Sequence, residues 1–268
     1  MSRLPYAVLA VFLLAAAPPP SSLPAGARAV LTHYLDALRA GRYDRAYGLL
    51  AAPERAYFRT PANFASVFLA DRFALDGYTV QGAQTAGSAV LVDVGEHVHL
   101  FDHAHQRLVG VQLTALYGLT REGGAYRVRE DVRAWKAFDP AGAQVSQQRL
   151  DATVRKISFY PGRVEVLLTF ANFGDSFVTL LPYGRSTLRD QSGATYPLIE
   201  TKIPALTDRE LRLGLRLAGS AEYTGALTFA APPHAAPTAF SLTVAPALRD
   251  GADEPFALQF ATIPVPPT

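Results

Sequence analysis

Apolar positions along the chain follow two different periods. From Arg28 they recur at three and four residues: Val30, Leu31, Tyr34, Leu35 and Leu38 mark one face of a helix that Gly41 stops. A second helix is expected from Arg42 to Ala52, with Tyr43, Ala46, Tyr47 and Leu50 on its inner side and Pro53 beyond its end. Thr60 before Pro61 is a helix start: the hydroxyl accepts from a free amide, and proline needs no donor in the first turn. Phe64, Val67 and Phe68 form the apolar face that follows. After Gly77 the period becomes two, predicting strands at Tyr78–Gln84, Ser88–Phe101, Arg107–Thr120 and Ala125–Arg133. Arg121-Glu122-Gly123-Gly124 makes a hairpin turn, and Trp135 is expected to close this half.

Alternation continues to the end with no helical period. It predicts strands at Arg149–Phe159, Arg163–Ala171, Phe177–Leu181, Ser186–Arg189 and Ala194–Glu200, then at Glu210–Leu217, Tyr223–Phe229, Thr238–Val244 and Phe256–Thr262. Pro161-Gly162, Asn172 to Asp175, Asp190 to Gly193 and Ala218-Gly219 supply the turns. Many short strands at this spacing point to a two-sheet sandwich. Phe138 to Gln144, with Asp139-Pro140 and small residues, reads as a short linker, too short for free relative motion.

The N-terminus has a separate logic. Arg3 precedes the apolar run Ala7 to Ala17, which suits the core of a secretory signal and is too short to cross a bilayer as a helix. Small residues offer cleavage at Ala15-Ala16-Ala17 or at Ala25-Gly26-Ala27. The second is preferred, because Pro18 would directly follow the first. The division is therefore a signal peptide over 1–27, a helix-and-sheet domain over 28–137, a linker over 138–144 and an all-β domain over 145–268. An uncleaved N-terminal anchor is the alternative; either way the body is expected outside the cytoplasm, in the periplasm or beyond, with no later transmembrane helix.

Composition narrows the chemistry. A chain of 268 residues that is 49% hydrophobic and 18% charged has the balance of a globular protein. Its formal net charge of +2, with arginines spread through every segment, gives no basic patch and no expectation of a nucleic-acid partner. With no cysteine, disulfides, thiolate metal sites, cysteine nucleophiles and lipid attachment through an N-terminal cysteine are excluded. Gly-rich phosphate loops, Gly-x-Ser-x-Gly elbows and His-Glu-x-x-His zinc helices are absent from the sequence, as are Asn-x-Ser/Thr acceptors.

Two stretches carry resemblances. YLDALRAGRYDRAYGLLAAPERA, then RTPANFASVF, then a three-stranded meander, resembles the SnoaL-like or nuclear-transport-factor-two-like cone family over Arg28 to Ala137. VRKISFYPGRVEVLLTFANFG, LRDQSGATYPL and LAGSAEYTGALTFAAP are similar to an Ig-like domain of unknown function found in bacterial secreted proteins and lipoproteins, related to extracellular immunoprotective antigens. The chain departs from many such relatives in having no lipobox cysteine. Together these imply an α+β cone, with helices on a curved antiparallel sheet, followed by an all-β Ig-like sandwich. They also imply a cone pocket for a small apolar ligand, a partner surface or acid/base chemistry, and a recognition or spacing role for the sandwich. Cone domains pair through their open sheet, so a homodimer is one further expectation.

The densest polar cluster is DVGEHVHLFDHAH, with His97, His99, His103 and His105 in two H-x-H pairs near Asp93, Glu96 and Asp102. Residues two apart on a strand share a face, so these imidazoles are candidate ligands for zinc, copper or nickel; the alternative is a solvated hairpin edge. Tyr34, Tyr43, Tyr47, Phe64, Phe68, Phe73, Tyr78 and Trp135 are candidates for lining a pocket, or for plain core. Asp93, His97 or His99 on the middle strand could act as a general base, although no motif assigns a catalytic residue. His33 and Asp36 read as a solvated pair on the first helix. The expectation is an exported, non-enzymatic binding protein without a cofactor, its ligand or protein partner unknown. The alternatives are an isomerase- or dehydratase-like cone enzyme, or metal capture by the histidines.

Overall fold

The computed structural model describes residues 23–103, 105–129, 134–202, 214–232 and 235–267. Strands account for 55% and helices for 18%, and among the described residues the named strands pair antiparallel, with one isolated parallel bridge between Leu50 and Val128. The predicted apolar run at 7–17 lies outside the described residues.

Helix α1 spans Ala25–Arg39 and buries Leu31, Tyr34, Leu35 and Leu38, the stripe read from the sequence. It starts earlier than expected. Ala27 is fully buried and Leu23 joins the core, so the bond after Ala27 lies in the first helical turn. The single helix expected over Arg42–Ala52 is two: α2 (Tyr43–Gly48) and α3 (Ala52–Phe58). The interruption has a tertiary cause. Ala51 N donates to the Val128 carbonyl and Val128 N to that of Leu49, pulling the chain out of helix at Leu50. Pro53 then falls in the first turn of α3, where its missing donor costs nothing. Helix α4 (Pro61–Ala70) begins as predicted, with Thr60 accepting from Asn63 N at 3.1 Å.

The helices precede a four-stranded meander of β1 (Ala74–Ala86), β2 (Ala89–Asp102), β3 (Arg107–Glu122) and β4 (Ala125–Arg129). Gly123 and Gly124, both at positive φ, turn β3 into β4 as the sequence required. Residues 130–133, expected to extend that strand, lie outside the described residues. On β2 the pleat sends Val90, Val92, Val94, Glu96 and Val98 inward.

The remaining strands are β5 (Lys136–Phe138), β6 (Gln144–Gln147), β7 (Leu150–Tyr160), β8 (Arg163–Asn172), β9 (Val178–Leu180), β10 (Thr187–Asp190), β11 (Thr195–Lys202), β12 (Leu215–Leu217), β13 (Glu222–Ala230), β14 (Ala239–Arg249) and β15 (Phe256–Pro264). A four-residue helix, α5 (Pro182–Arg185), precedes β10. The strands form one hydrogen-bonded path, β12-β9-β14-β10-β11-β13-β8-β7-β5, with β15 on β14 and β6 on β7. β11 joins its two parts, pairing with β10 through Thr195, Tyr196 and Pro197 and with β13 from Leu198 onward, where the register shifts between Leu198 and Glu200. The path folds back on itself, because Phe159 of β7 stacks 5.9 Å from Phe240 of β14.

The stretch read as a linker is flanked and anchored by strands. β5 and β6 both pair with β7, and Val154 N donates to the Ala143 carbonyl. Trp135 belongs to this side as well: its N donates to the Phe159 carbonyl and its ring packs 5.3 Å from that of Phe159.

Candidate functional site

The four histidines separate. His97 and His99 fall on the outer face of β2, in phase with Asp93, so none of these three candidate bases faces the interior of the first half. His99 Nδ1 lies 2.7 Å from Asp76 Oδ2, and His105 Nδ1 lies 2.7 Å from Asp102 Oδ2. His103 alone is buried, with Nε2 at 3.2 Å from Asp71 Oδ1. Among the described residues, no three His, Asp or Glu side chains come together as a group able to hold a metal ion. His33 is exposed, whereas Asp36 accepts from the Tyr78 hydroxyl at 3.1 Å and pairs with Arg39.

The aromatic candidates also divide. Tyr34 and Phe64 are fully buried core, and Phe64 packs edge-on between Phe58 and Phe68 at about 5 Å. Tyr43 stacks on Phe68, while Tyr47 donates to the Arg55 carbonyl. Trp135 is covered by Arg59, whose guanidinium sits 3.9 Å from the ring centroid. Phe68 and Phe73 do border a cavity.

That cavity, of about 350 Å³, lies where β7 closes over the inner face of β2 and β3 and the end of α4. Phe68, Leu100 and Leu113 come from the first half. Lys156, Ser158 and Tyr160, at alternate positions of β7, come from the second. A mainly apolar wall with a few converging polar groups, at the joint between two parts of a chain, is the usual form of a small-molecule site.

Two polar features stand out. Glu96 is buried at 2% exposure, borders the cavity, and accepts from the Tyr117 hydroxyl at 2.5 Å. Asp71, just past α4, takes Lys156 Nζ at 2.7 Å on the same Oδ1 that meets His103. Burial alone would raise the Asp71 pKa. The hydrogen bond to His103, with the charge and hydrogen bond of Lys156, outweighs it and holds the carboxyl below the usual range. The Tyr160 hydroxyl is pushed up, first by burial and then by Glu165.

Beyond the Asp71–Lys156 pair lies a second cavity of about 500 Å³, floored by Leu167 and Ala226 and roofed by Leu100 and Phe101. Lys156 and Lys202 stand at the two ends of one cross-strand row, Lys156–Leu167–Ala226–Lys202. The sequence held a usable signal for Glu96, which is in phase with Val92, Val94 and Val98. For Asp71 with Lys156, 85 residues apart, it held none. The chain matches no family model and no curated protein.

Proposed function

We propose that this chain is an exported binding protein, built from a SnoaL-like cone followed by an Ig-like sandwich, and that the cavity between the two halves holds a small, mainly apolar ligand. The apolar run Ala7 to Ala17 supports export. Four helices ahead of a four-stranded meander support the cone, and the folded-back antiparallel strand path supports the sandwich. One observation carries the binding reading: the cavity wall is composite, with apolar side chains from the first half facing polar groups of β7 from the second. Such a sandwich is more than a spacer, because it completes the site.

The test is titration of the full chain with the uncharged fluorescent probe N-phenyl-1-naphthylamine. Leu113→Phe and Val67→Phe each fill part of the cavity from a different element, and each is expected to weaken probe binding at least tenfold while the circular dichroism spectrum is retained. Unchanged binding in both variants would place the probe elsewhere and refute the reading.

Buried Glu96 at the cavity wall favours one second reading, acid/base chemistry on the bound molecule with Glu96 as the proton acceptor. In that case Glu96→Gln retains a captured ligand but stops its conversion. A ligand recovered unaltered after long incubation with the unmodified chain contradicts it.

A further inference from the structure

The two cavities share three wall residues, Asp71, Leu100 and Lys156. The polar part of the partition is the Asp71–Lys156 ion pair, and neither member is sealed: the carboxylate side chain is 33% exposed and the lysine side chain 19%. Lysine carries its ammonium on a flexible four-carbon stem, so the partition can move without a shift of backbone. Apolar side chains face both sides of it, Phe68 and Leu113 in the first chamber and Phe101, Leu167 and Ala226 in the second, where Asp102, Glu165, Lys202 and Thr224 also contribute to the wall. The charges nearest the partition are satisfied within the protein. Asp71 is shared by Lys156 and His103, and Lys202 pairs with Glu200 at 3.3 Å. Both wall lysines are thus already paired, which leaves neither cation free for an anionic ligand, and the carboxylates of Glu96 and Glu165 on the two walls further disfavour one.

We infer that the chambers act as one divided site for an elongated, unbranched, uncharged apolar chain, which moves the Lys156 side chain aside from Asp71 and occupies both. This rests on the cavity reading above. The energetics favour it where the pair behaves as an exposed one, worth at most about fivefold in an equilibrium constant, because each methylene moved from water into an apolar environment is worth about fourfold. Two methylenes beyond the partition outweigh the pair.

The experiment is competition of straight-chain primary alcohols, from 1-octanol to 1-tetradecanol, against N-phenyl-1-naphthylamine on the full chain. Three proteins are compared: the unmodified chain, Lys156→Met and Lys156→Arg. The unmodified chain is expected to gain about fourfold per methylene across the whole series. Lys156→Met, without the ion pair, is expected to do the same. Lys156→Arg, whose planar fork grips a carboxylate with two bonds, is expected to stop gaining at shorter chains. A plateau at the same chain length in all three proteins overturns the divided site and leaves the single-chamber reading standing. Failure of every alcohol to displace a probe that the cavity-filling variants do weaken overturns the chain-like ligand. Probe binding indifferent to those variants removes the cavity reading itself.

Discussion

The divided site requires the Asp71–Lys156 pair to be cheap to open, and a double-mutant cycle measures that directly. Asp71→Asn keeps the shape and an accepting oxygen for His103; Lys156→Met keeps most of the stem and removes the charge. The pair is short, at 2.7 Å, but the carboxylate is a third exposed and both groups border cavities. Exposed pairs couple by roughly 0.2–1 kcal/mol, whereas removing one partner of a sealed pair costs roughly 3–5 kcal/mol. The geometry places this pair near the upper end of the first range, so a coupling of about 1 kcal/mol is expected from urea unfolding of the four proteins at neutral pH. Raised salt should reduce it, because water reaches both groups. Acid should abolish it. The Asp71 pKa is depressed in the folded chain, so its contribution is fully present above the ordinary carboxylate value of about 4 and is lost as pH falls through the lower folded value. A coupling of 3 kcal/mol or more, insensitive to salt, would show a locked partition and refute the argument that a hydrocarbon chain can displace Lys156.

Other consequences are simpler to read. Thr60→Ala removes the hydroxyl that caps α4 and should lower stability by about 1 kcal/mol in a urea melt, with Thr60→Ser close to unmodified. Gly214→Ala should lower the melting temperature clearly: φ is +98° and an added Cβ would lie 2.6 Å from Leu181 Cδ2 and 2.9 Å from the Leu180 carbonyl, a strain of about 1–3 kcal/mol or more. A chain beginning at Arg28 should be less stable than one beginning at Leu23 by about 2–3 kcal/mol, because it loses the buried Leu23 side chain and the first turn of α1. Equal melting temperatures for those two chains would show that Leu23 to Ala27 contribute nothing to the fold.

Most elements were legible because the signals behind them are local. The stripe Leu31, Tyr34, Leu35 and Leu38, the Thr60-Pro61 start and the Gly123-Gly124 turn each act within a few residues, and the structure places each where the spacing did. Most strands of both halves were visible for the same reason, since alternation is a property of the strand itself; of the strand expected over Glu210–Leu217, residues 210–213 lie outside the described residues and Leu215–Leu217 is strand. Misplaced elements are those whose form depends on a distant partner. Nothing between Arg42 and Ala52 shows that Val128 will draw Leu50 out of a helix. Phe138 to Gln144 reads as a linker because it holds Asp139-Pro140 and small residues, and residues 139–143 lie in no strand; what the sequence does not show is that its two ends pair with β7.

The histidines make the same point for the site. Their spacing sets which share a strand face, and it does so for His97 and His99, but it cannot say that this face is the outer one. That depends on which side of the sheet the helices cover. Sequence by itself determined the succession of a helical start, an alternating meander and an all-strand remainder, the absence of cysteine chemistry and the in-phase position of Glu96 among valines. Only tertiary structure decided that Asp71, His103 and Lys156 meet between two cavities, because contact across 85 residues is set by how sheets pack and register, and hydrophobic periodicity carries no record of the partner.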